Sequence, residues 1–475
     1  YALTEYFNNV SENLKNTQNE VNFAIKNTVD TINSYGDQIA TLTKQINMVE
    51  VSGGFANDLR DQRNLLVDKL SELTSVSVKE EKIGEALDGK LAGVTHYTVK
   101  INGGYLVNNY RANKLDVVPR DYISNINDVE GLYDVTWADG QGFSAHNSHL
   151  GGKLGALFEM RDGNNMASLR CHVKEASEGD TEITLEDTNI NSIEEMNFPP
   201  RGRIQLGSEE YEYTGFDVKI EKDEDTGKDK YKYIFKLKED KPITKDISED
   251  SKVVAKIGEQ VNFKGIPYYL DQLNTFVRKF SKEFNEVHKT GVDLDGNKGE
   301  DFFNGIDKTT GENYKFKVPG TEDESGNEIT EFSSDDETYY RLVAHNYSVT
   351  RTFKENPSLI AAASTISEGI ENTDVMKKLE SLQRDRTMFD QGKPEEFYQS
   401  LTSDIGVGAK TAETFAKNQD MMVKAINNQR LSISGVDSDE EAMDLVKFRN
   451  CYNLSAKVIT VMNEIYNKLI NEMAV

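Results

Sequence analysis

The chain has 475 residues, more than one compact core accommodates, so two to four domains are expected. Hydrophobic residues make up 37% of the sequence and aromatic residues 9%, which excludes a wholly disordered chain. With 55 Lys and Arg against 81 Asp and Glu, the formal net charge is -26, which disfavours binding to nucleic acid or to an anionic membrane.

The number of cysteines and the start of the chain exclude further classes of protein. Two cysteines, Cys171 and Cys451, are too few for a disulfide framework. No stretch approaches the roughly 18 apolar residues of a membrane span. The sequence begins at Tyr1, without Met, inside a helical pattern and without the pattern of a signal peptide. We therefore expect a fragment whose natural N-terminus is missing.

Residues 1–80 predict the first part of a helical rod domain. Over the first 50 residues, apolar or small residues recur at steps of three and four, as on one long helix. These positions are Leu3, Phe7, Val10, Leu14, Thr17, Val21, Ala24, Ile25, Val29, Ile32, Tyr35, Ile39, Leu42, Ile46 and Val49. Gly36 and the irregular step beside it predict a local fault. After Gly53, Asn57 is expected to cap a second, antiparallel helix.

The middle of the chain changes to a period of two, which is typical of strands. Tyr97, Val99 and Ile101 alternate with polar residues, and Asn102 and Gly103 then predict a hairpin turn. The predicted order is a β-rich domain (81–149), a short helical return (150–167), an inserted β domain (168–258), a rod helix (259–295), a second β-rich part (296–370) and C-terminal rod helices (371–475). Alternating aromatic residues in 168–258 lead us to expect a self-contained β core.

The last helix carries the candidate site. Ser438-Asp439-Glu440-Glu441 has the form of a capping box at its start. Its apolar face is wider than one partner helix covers, so it is a candidate assembly interface. That face comprises Leu445, Tyr452, Ala456, Ile459, Tyr466 and Leu469. Val458, Val461 and Ile465 are expected to widen it. The predicted fold class is therefore a multidomain α+β protein, in which an elongated, coiled-coil-like helical rod is built from both chain ends and carries inserted β-rich domains.

The residue types that serve in catalysis and metal binding do not form a catalytic motif in this sequence. His146 and His149 have no third ligand nearby in the sequence, so a pair of surface histidines is the better interpretation. The run from Asp293 fails as a calcium loop, because Lys298 and Asn304 stand where Gly and Glu are needed. We accordingly expect no enzyme activity, no cofactor and no metal site.

Several short sequence segments resemble those of the hook-associated protein 1 family of bacterial flagella. Ala56-Asn57-Asp58-Leu59-Arg60-Asp61-Gln62-Arg63 is similar to its A-N-D-L-x-D-Q-R segment, and Gly151-Gly152-Lys153-Leu154-Gly155-Ala156-Leu157 with Arg161-Asp162 to its G-G-x-L-G-x-L-x-x-x-R-D segment. Leu270-Asp271-Gln272-Leu273 and Asn285-Glu286-Val287-His288 are similar to a further helix of that family, and Ser434-Gly435-Val436 with Ala456-Lys457-Val458-Ile459 to the terminus shared by flagellar axial proteins. The resemblance covers about 1–80, 149–163, 265–303 and 357–475.

This resemblance implies a structural subunit that joins hook to filament. Members are exported by the flagellar export apparatus, are bound by an export chaperone, and assemble outside the cell in a ring of about eleven copies. Their partners are further copies, the hook protein and hook-associated protein 3. The family's N-terminal segment is absent here, so the final helix is expected to lack its natural partner. Two alternatives stay open, namely another axial protein (a hook protein or hook-associated protein 3) and an adhesive surface module carried by residues 168–258.

Overall fold

Helices occupy both ends of the chain and strands its middle in a computed structural model, which describes residues 1–82, 95–223, 227–248, 252–307, 310–322, 326–365 and 372–471. The helices are α1 (Ala2–Val51), α2 (Asn57–Leu73), α3 (Gly152–Asp162), α4 (Ile266–Lys289), α5 (Arg351–Glu355), α6 (Asp374–Leu382), α7 (Pro394–Ser434) and α8 (Ser438–Asn471). The strands are β1 (Val76–Lys82), β2 (Thr95–Ile101), β3 (Gly104–Asn108), β4 (Arg111–Ala112), β5 (Leu115–Pro119), β6 (Tyr133–Trp137), β7 (Arg170–Val173), β8 (Glu182–Glu186), β9 (Gly202–Leu206), β10 (Glu209–Lys222), β11 (Asp229–Leu237), β12 (Val254–Lys256), β13 (Phe303–Gly305), β14 (Glu331–Ser333) and β15 (Tyr347–Val349). The predicted α+β class is confirmed.

The chain forms two compact units, residues 1–397 and residues 398–475. In the first unit, the beginnings of α1 and α7 both pack on α4 through phenylalanine rings. The ring of Phe276 stacks on Phe7 (5.1 Å between centroids) and on Phe389 (5.3 Å), and lies 5.7 Å from Phe397. Residues up to Phe397 therefore share a core with α1 and α4, while the expectation that the rest of 371–475 completes one rod with residues 1–80 stays a prediction.

The first helix has the predicted length, but its core-facing side is more polar than expected. The helix is continuous through Gly36, so the predicted fault is wrong. A Cβ at Gly36 would lie 3.2 Å from the side chain of Leu106 in β3, and glycine therefore lets this strand approach the helix closely. Ile25, Ile32 and Ile39 are completely buried against the strands, as their spacing predicted.

Side-chain amides on α1 bind the backbone of the β segments. Asn33 accepts a hydrogen bond from the Leu115 amide and donates one to the Leu115 carbonyl, both 2.8 Å long. Asn47 does the same with Thr95 (3.0 and 2.9 Å), and Asn22 accepts from the Tyr133 amide at 2.8 Å. These amides satisfy backbone groups that would otherwise be buried without partners, and they fix β2, β5 and β6 along the helix.

The second helix packs against α1, as predicted, but its cap differs. Ala56, not Asn57, is the N-cap residue, and no side chain caps this helix end. A four-stranded antiparallel sheet in the order β1-β2-β3-β4 follows. Its predicted hairpin turn is confirmed, with left-handed φ values at Asn102 (46°) and Gly103 (82°).

Residues 168–258 form a closed β barrel. Six strands pair antiparallel in the order β10-β9-β12-β7-β8-β11, and the pairing of β11 with β10 closes the ring. Closure joins the two outer strands of this sheet, β10 and β11, and it turns alternate residues into a shared interior. Phe216, Tyr233 and Phe235 are completely buried there.

The barrel is not self-contained, which corrects the expectation for 168–258. Strand β14, from the region 296–370, pairs with residues 217–219 of β10. The Tyr340 hydroxyl also donates a hydrogen bond to the Phe198 carbonyl (2.8 Å). In its described residues, the region 296–370 has no strand longer than the three residues of β13, β14 and β15, and it also contains helix α5, so it is less strand-rich than predicted. The long β10 extends beyond the part that pairs with β9, so its residues 217–219 pair with β14 as well as with β11.

Candidate assembly surface

All six predicted interface residues lie on α8, and all six are exposed. The exposed fraction is 75% for Tyr452 and 63% for Ile459. Leu445, Tyr452, Ile459 and Tyr466 follow one another at seven-residue intervals, and Phe448, Met462 and Leu469 stand three residues after Leu445, Ile459 and Tyr466. This spacing is the one that two helices use to pack in a coiled coil. The face is therefore suited to helix partners, and that it acts as an interface stays a prediction.

Three residues expected to widen this face lie elsewhere on the helix. At about 100° per residue, Val458, Val461 and Ile465 are rotated by about 100–160° from Ile459. Together with Leu454 they form a second apolar seam, and all four side chains are exposed. Helix α8 thus presents two apolar seams, which is suited to contact with more than one neighbouring helix.

The start of α8 is capped by a different residue from the one predicted. The Asp437 carboxylate accepts hydrogen bonds from the amides of Asp439 (2.9 Å) and Glu440 (3.4 Å). The cap therefore lies one residue before Ser438, because the longer aspartate side chain reaches the free amides of the first turn. The preceding helix α7 is also uncovered beyond its first turns, with Phe415, Met422 and Ile433 exposed.

The three segments of the first unit that carried the family resemblance make structural contacts within the chain. Arg60 forms an ion pair with Glu50 of α1 (2.6 Å) and with Glu80 of β1 (2.9 Å). Arg63 is buried, binds Glu80 at 3.0 Å, and lies 3.6 Å above the Tyr97 ring. The two arginines of this segment therefore fasten the α1–α2 hairpin to strand β1.

The glycine-rich segment permits a close approach between α3 and the end of α2. Gly152 has a φ of 62°, and a Cβ there would lie 2.6 Å from the Thr74 amide nitrogen. Arg161, fully buried, donates to the Tyr133 carbonyl (2.7 Å) and to Asp162 (2.7 Å). Burial raises the pKa of Asp162, but the Arg161 and Arg120 guanidinium groups outweigh it and hold that pKa at about 2.

The third segment joins α4 to the region that follows it. Asn285 accepts from the amides of Phe302 and Phe303, both at 2.9 Å. His288 accepts a hydrogen bond at Nε2 from the Ala361 amide (3.0 Å), so its proton is on Nδ1, which donates to the Glu300 carbonyl (2.6 Å). Burial lowers the pKa of His288. Asp271 of this segment contacts the β5–β6 loop.

Arg278 is a structural residue that the sequence patterns did not identify. It is completely buried, and it donates hydrogen bonds to the carbonyls of Met196 (2.8 Å), Tyr340 (2.6 Å) and Leu342 (2.8 Å). An arginine inside an amphipathic helix is ordinarily a surface residue. No local signal distinguished this one, because its partners are backbone carbonyls distant in sequence.

The aromatic residues of the barrel do not form a binding surface. Their exposed fractions are 6% or less, namely Tyr211 (6%), Tyr213 (2%), Phe216 (0%), Tyr231 (6%), Tyr233 (0%) and Phe235 (0%). Among the described residues of 168–258, none is an exposed large hydrophobic residue. Ion pairs instead cover the barrel exterior, such as Lys232–Glu221 and Lys236–Asp217, each 2.8 Å long.

His146, His149 and Asp293, the candidate metal ligands of the sequence, lie in different surroundings. His146 lies 3.4 Å from the Asp162 carboxylate, and His149 is exposed. Asp293 accepts hydrogen bonds from the amides of Asp295 and Asn297 (2.8 Å each), as in a turn. Within the described ranges, no three His, Cys, Asp or Glu side chains are grouped for a metal ion, and no helix has the length and apolar character to cross a membrane.

Comparison with known proteins identifies the family to which this chain belongs. The sequence profile described as "Flagellar hook-associated protein FlgK helical domain" matches residues 1–175 and 214–303, more than half of the chain. Flagellar hook-associated protein 1 of Bacillus subtilis is 25% identical over 475 residues, which are 100% of this chain and 70% of that protein. The Escherichia coli protein of the same name is 26% identical over 476 residues, covering 99% of this chain and 74% of that protein. The flagellar hook junction protein FlgK of Burkholderia pseudomallei superimposes with a TM-score of 0.42 and 15% identity over 91% of this chain and 88% of that one. The chain belongs to the FlgK family of flagellar hook-associated proteins.

Proposed function

We infer that this chain is a structural subunit of the bacterial flagellum that joins the hook to the filament, and that α7 and α8 form its assembly surface. Family membership supports the first part. The observation that carries the second part is the exposed heptad face of α8 from Leu445 to Leu469. Large apolar faces left open to water mark surfaces that another protein covers.

The covering partner is best provided by further axial subunits. Isolated helices are only marginally stable in water, and packing of their apolar faces provides most of their stability in proteins. Helix α8 has two such seams, so it gains stability when neighbours pack on both. We propose other copies of this chain as one neighbour, in a ring of about eleven subunits, with hook protein below and hook-associated protein 3 above.

The remaining expectations follow from the same proposal. The chain reaches its place outside the cell by the flagellar export apparatus, with an export chaperone bound before export. Its role is structural and not enzymatic, and it needs no cofactor. The motif residues support this role, because Arg60, Arg161, Asn285 and His288 all bind other parts of the chain. Those same motifs favour this family over a hook protein or hook-associated protein 3.

An adhesive role for residues 168–258 has less support. That alternative relied on aromatic strands presenting their rings to a ligand. The rings instead fill the barrel interior, and charged pairs such as Lys236–Asp217 cover its outside. A solvated, charged exterior suits a domain that faces water on the outside of an assembly.

Substitution of Ile459 by Asp tests the assembly surface. Because Ile459 is 63% exposed in the isolated chain, Ile459→Asp should leave the folding of the purified protein unchanged. In the assembled junction, the same change buries an unpaired charge, which costs several kcal/mol. We expect cells carrying only this variant to secrete it, and to bear hooks without filaments.

Asn453→Asp is the matched control. It introduces the same charge on the polar side of α8, about 120° away around the helix axis, and should preserve filaments. The measurements are swimming motility, filament length by electron microscopy, and the amount of secreted protein by immunoblot. Normal filaments on Ile459→Asp cells would exclude this face as an assembly surface, whereas equal loss in both variants would show a general sensitivity of α8 to charge.

A further inference from the structure

The β5–β6 loop is a joint between the helical part of the first unit and the barrel. The Ile126 amide donates to the Asn197 carbonyl (2.7 Å), just before strand β9. On the helical side, the Val129 amide donates to Gln18 of α1 (3.0 Å), and Asn127 accepts from Asn274 of α4 (3.2 Å). Residues 124–129 therefore contact α1, α4 and the segment at Asn197 that leads into β9.

A buried carboxyl group, Asp271, and a half-buried one, Asp128, hold this loop through one asparagine. Asp271 of α4 is 6% exposed, and its Oδ1 accepts from the side-chain amides of Asn125 (2.9 Å) and Asn127 (3.1 Å). Asp128 accepts from the Asn125 backbone amide (2.9 Å) and from Gln18 (3.0 Å). Among the described residues, neither carboxyl group has an ion-pair partner within 4.0 Å.

The positively charged side chains near the two carboxyl groups form ion pairs or hydrogen bonds with other groups. A cavity of about 130 Å³ lies beside the two carboxyl groups. The other charged or titratable residues around it are Arg120, Tyr122, His146, Asp162, Arg203, Glu210, Lys256 and Glu259. Arg120 pairs with Asp134 (2.6 Å), and Lys256 pairs with Glu259 (2.9 Å). On the helix of Asp271 itself, Arg278 is bound to backbone carbonyls.

Two carboxylates bound to one asparagine in a buried position repel each other, so the pair retains a proton more strongly than isolated groups do. Burial raises the pKa of Asp271 to about 7, and the charge of Asp128 adds to the rise. Burial also raises the pKa of Asp128. The Asn125 side-chain amide also lies 3.1 Å from Oδ2 of Asp271. With a proton on Oδ2, Oδ1 still accepts from both Asn125 and Asn127.

We propose that Asp128 and Asp271 form a proton-linked latch, in which a proton held on Asp271 beside Asp128 keeps the β5–β6 loop closed on α4, and loss of that proton loosens the joint between the helical part and the barrel. In the open loop, the Asp271 carboxyl group is solvated and ionised at neutral pH. Opening therefore releases a proton as long as the closed state is protonated. The opening equilibrium should rise with pH, and a closed-state pKa of about 7 makes that rise about tenfold between pH 6 and pH 8.

Hydrogen exchange of the loop measures the latch directly. Peptides that contain residues 121–130 would be followed by mass spectrometry in the whole chain at pH 6, 7 and 8, with rates corrected for intrinsic exchange. We expect protection in the unmodified protein to fall about tenfold over this range. Asp271→Asn, which cannot ionise, should show constant protection, and Glu259→Gln at the same cavity should behave like the unmodified protein.

Asp128→Asn provides an independent readout if Asp271→Asn folds poorly. Removing the neighbouring charge lowers the pKa of Asp271, so the fall in protection should move to lower pH. An unchanged profile in Asp128→Asn, or the same pH dependence in Asp271→Asn as in the unmodified protein, would overturn the latch. Loss of the pH dependence in Glu259→Gln would assign it to the cavity as a whole and would also overturn the proposal.

Discussion

His288 shows how one side chain can fix the ionisation state of a buried contact. Its Nε2 accepts from the Ala361 amide and its Nδ1 donates to the Glu300 carbonyl, so both contacts together require the neutral ring. The ring is completely buried beside Phe353. Protonation would place a second donor against the Ala361 amide, which is itself a donor.

The contribution of His288 to stability should depend on pH. Because burial lowers its pKa in the folded state, its contribution is complete above the unfolded pKa of about 6.5 and is lost as the pH falls towards the folded value. One proton changes the free energy of unfolding by at most about 1.4 kcal/mol per pH unit. We expect the urea midpoint of the unmodified protein to fall, relative to His288→Gln, between pH 7.5 and pH 5.5.

The difference between these two proteins isolates His288 from the other titrating groups. Glutamine is neutral throughout this range and retains an acceptor for the Ala361 amide. Parallel pH profiles for the two proteins would show that His288 does not titrate within the folded state as described.

At the scale of elements, α4 is the connection between the barrel and the rest of the first unit. Arg278 binds carbonyls on both sides, at Met196 before β9 and at Tyr340 and Leu342 after β14. Strand β14, which follows α4 in the chain, also pairs with β10 of the barrel. The barrel and α4 are therefore coupled, although the alternating pattern of 168–258 alone suggested independence.

Removal of residues 168–258, with the ends rejoined by a short Gly-Ser linker, tests this coupling. The deletion removes the Met196 carbonyl and leaves part of the Arg278 guanidinium buried without acceptors, a loss that costs about 3–5 kcal/mol. We expect a clearly lower thermal midpoint for the remaining helices by circular dichroism. Arg278→Met in the deleted chain should recover part of that loss, because it removes the charge and retains an apolar stem.

The same Arg278→Met change in the full chain is the control, and there it should destabilise. If the deletion leaves the helical midpoint unchanged, the barrel is independent after all, and the contacts of Arg278 contribute little.

At the scale of the whole molecule, the two units differ in how their helices are supported. Helices α1 and α4 of the first unit bury complete faces, including Ile25, Ile32 and Val277. In the second unit, helices α7 and α8 expose apolar residues such as Phe415 and Tyr452. Helices without tertiary contacts depend on intrinsic propensity alone, which leaves them marginal in water.

Hydrogen exchange should reveal this difference in the isolated chain. We expect backbone amides of residues 405–433 and 445–470 to exchange at least about a hundredfold faster than those of α4, after correction for intrinsic rates. Incorporation into assembled junctions should slow exchange in the same two segments and leave α4 nearly unchanged. Equal protection of α4 and α8 in the isolated chain at low concentration would show that α8 is already covered.

Periodicity alone was sufficient for the local elements. The length of α1, the hairpin at Asn102-Gly103, and helices α3 and α4 follow from spacing and turn chemistry, because those signals act within a few residues. The family, too, was recognisable from short motifs. Details at helix ends were less reliable, since Ala56 and Asp437 took the cap positions predicted for their neighbours.

The tertiary structure alone decided which polar residues are buried. It also decided that β14, from another region of the chain, pairs with the barrel. Asn33, Asp271 and Arg278 look like surface residues in the sequence, and their partners lie 82, 146 and 64 residues away, respectively, at Leu115, Asn125 and Leu342. The closure of the barrel and the addition of β14 likewise depend on pairings between distant segments. Patterns within a helix or strand report which side is apolar, but a buried polar group is stable only because a distant segment supplies its hydrogen-bond partner, and only the folded chain brings the two together.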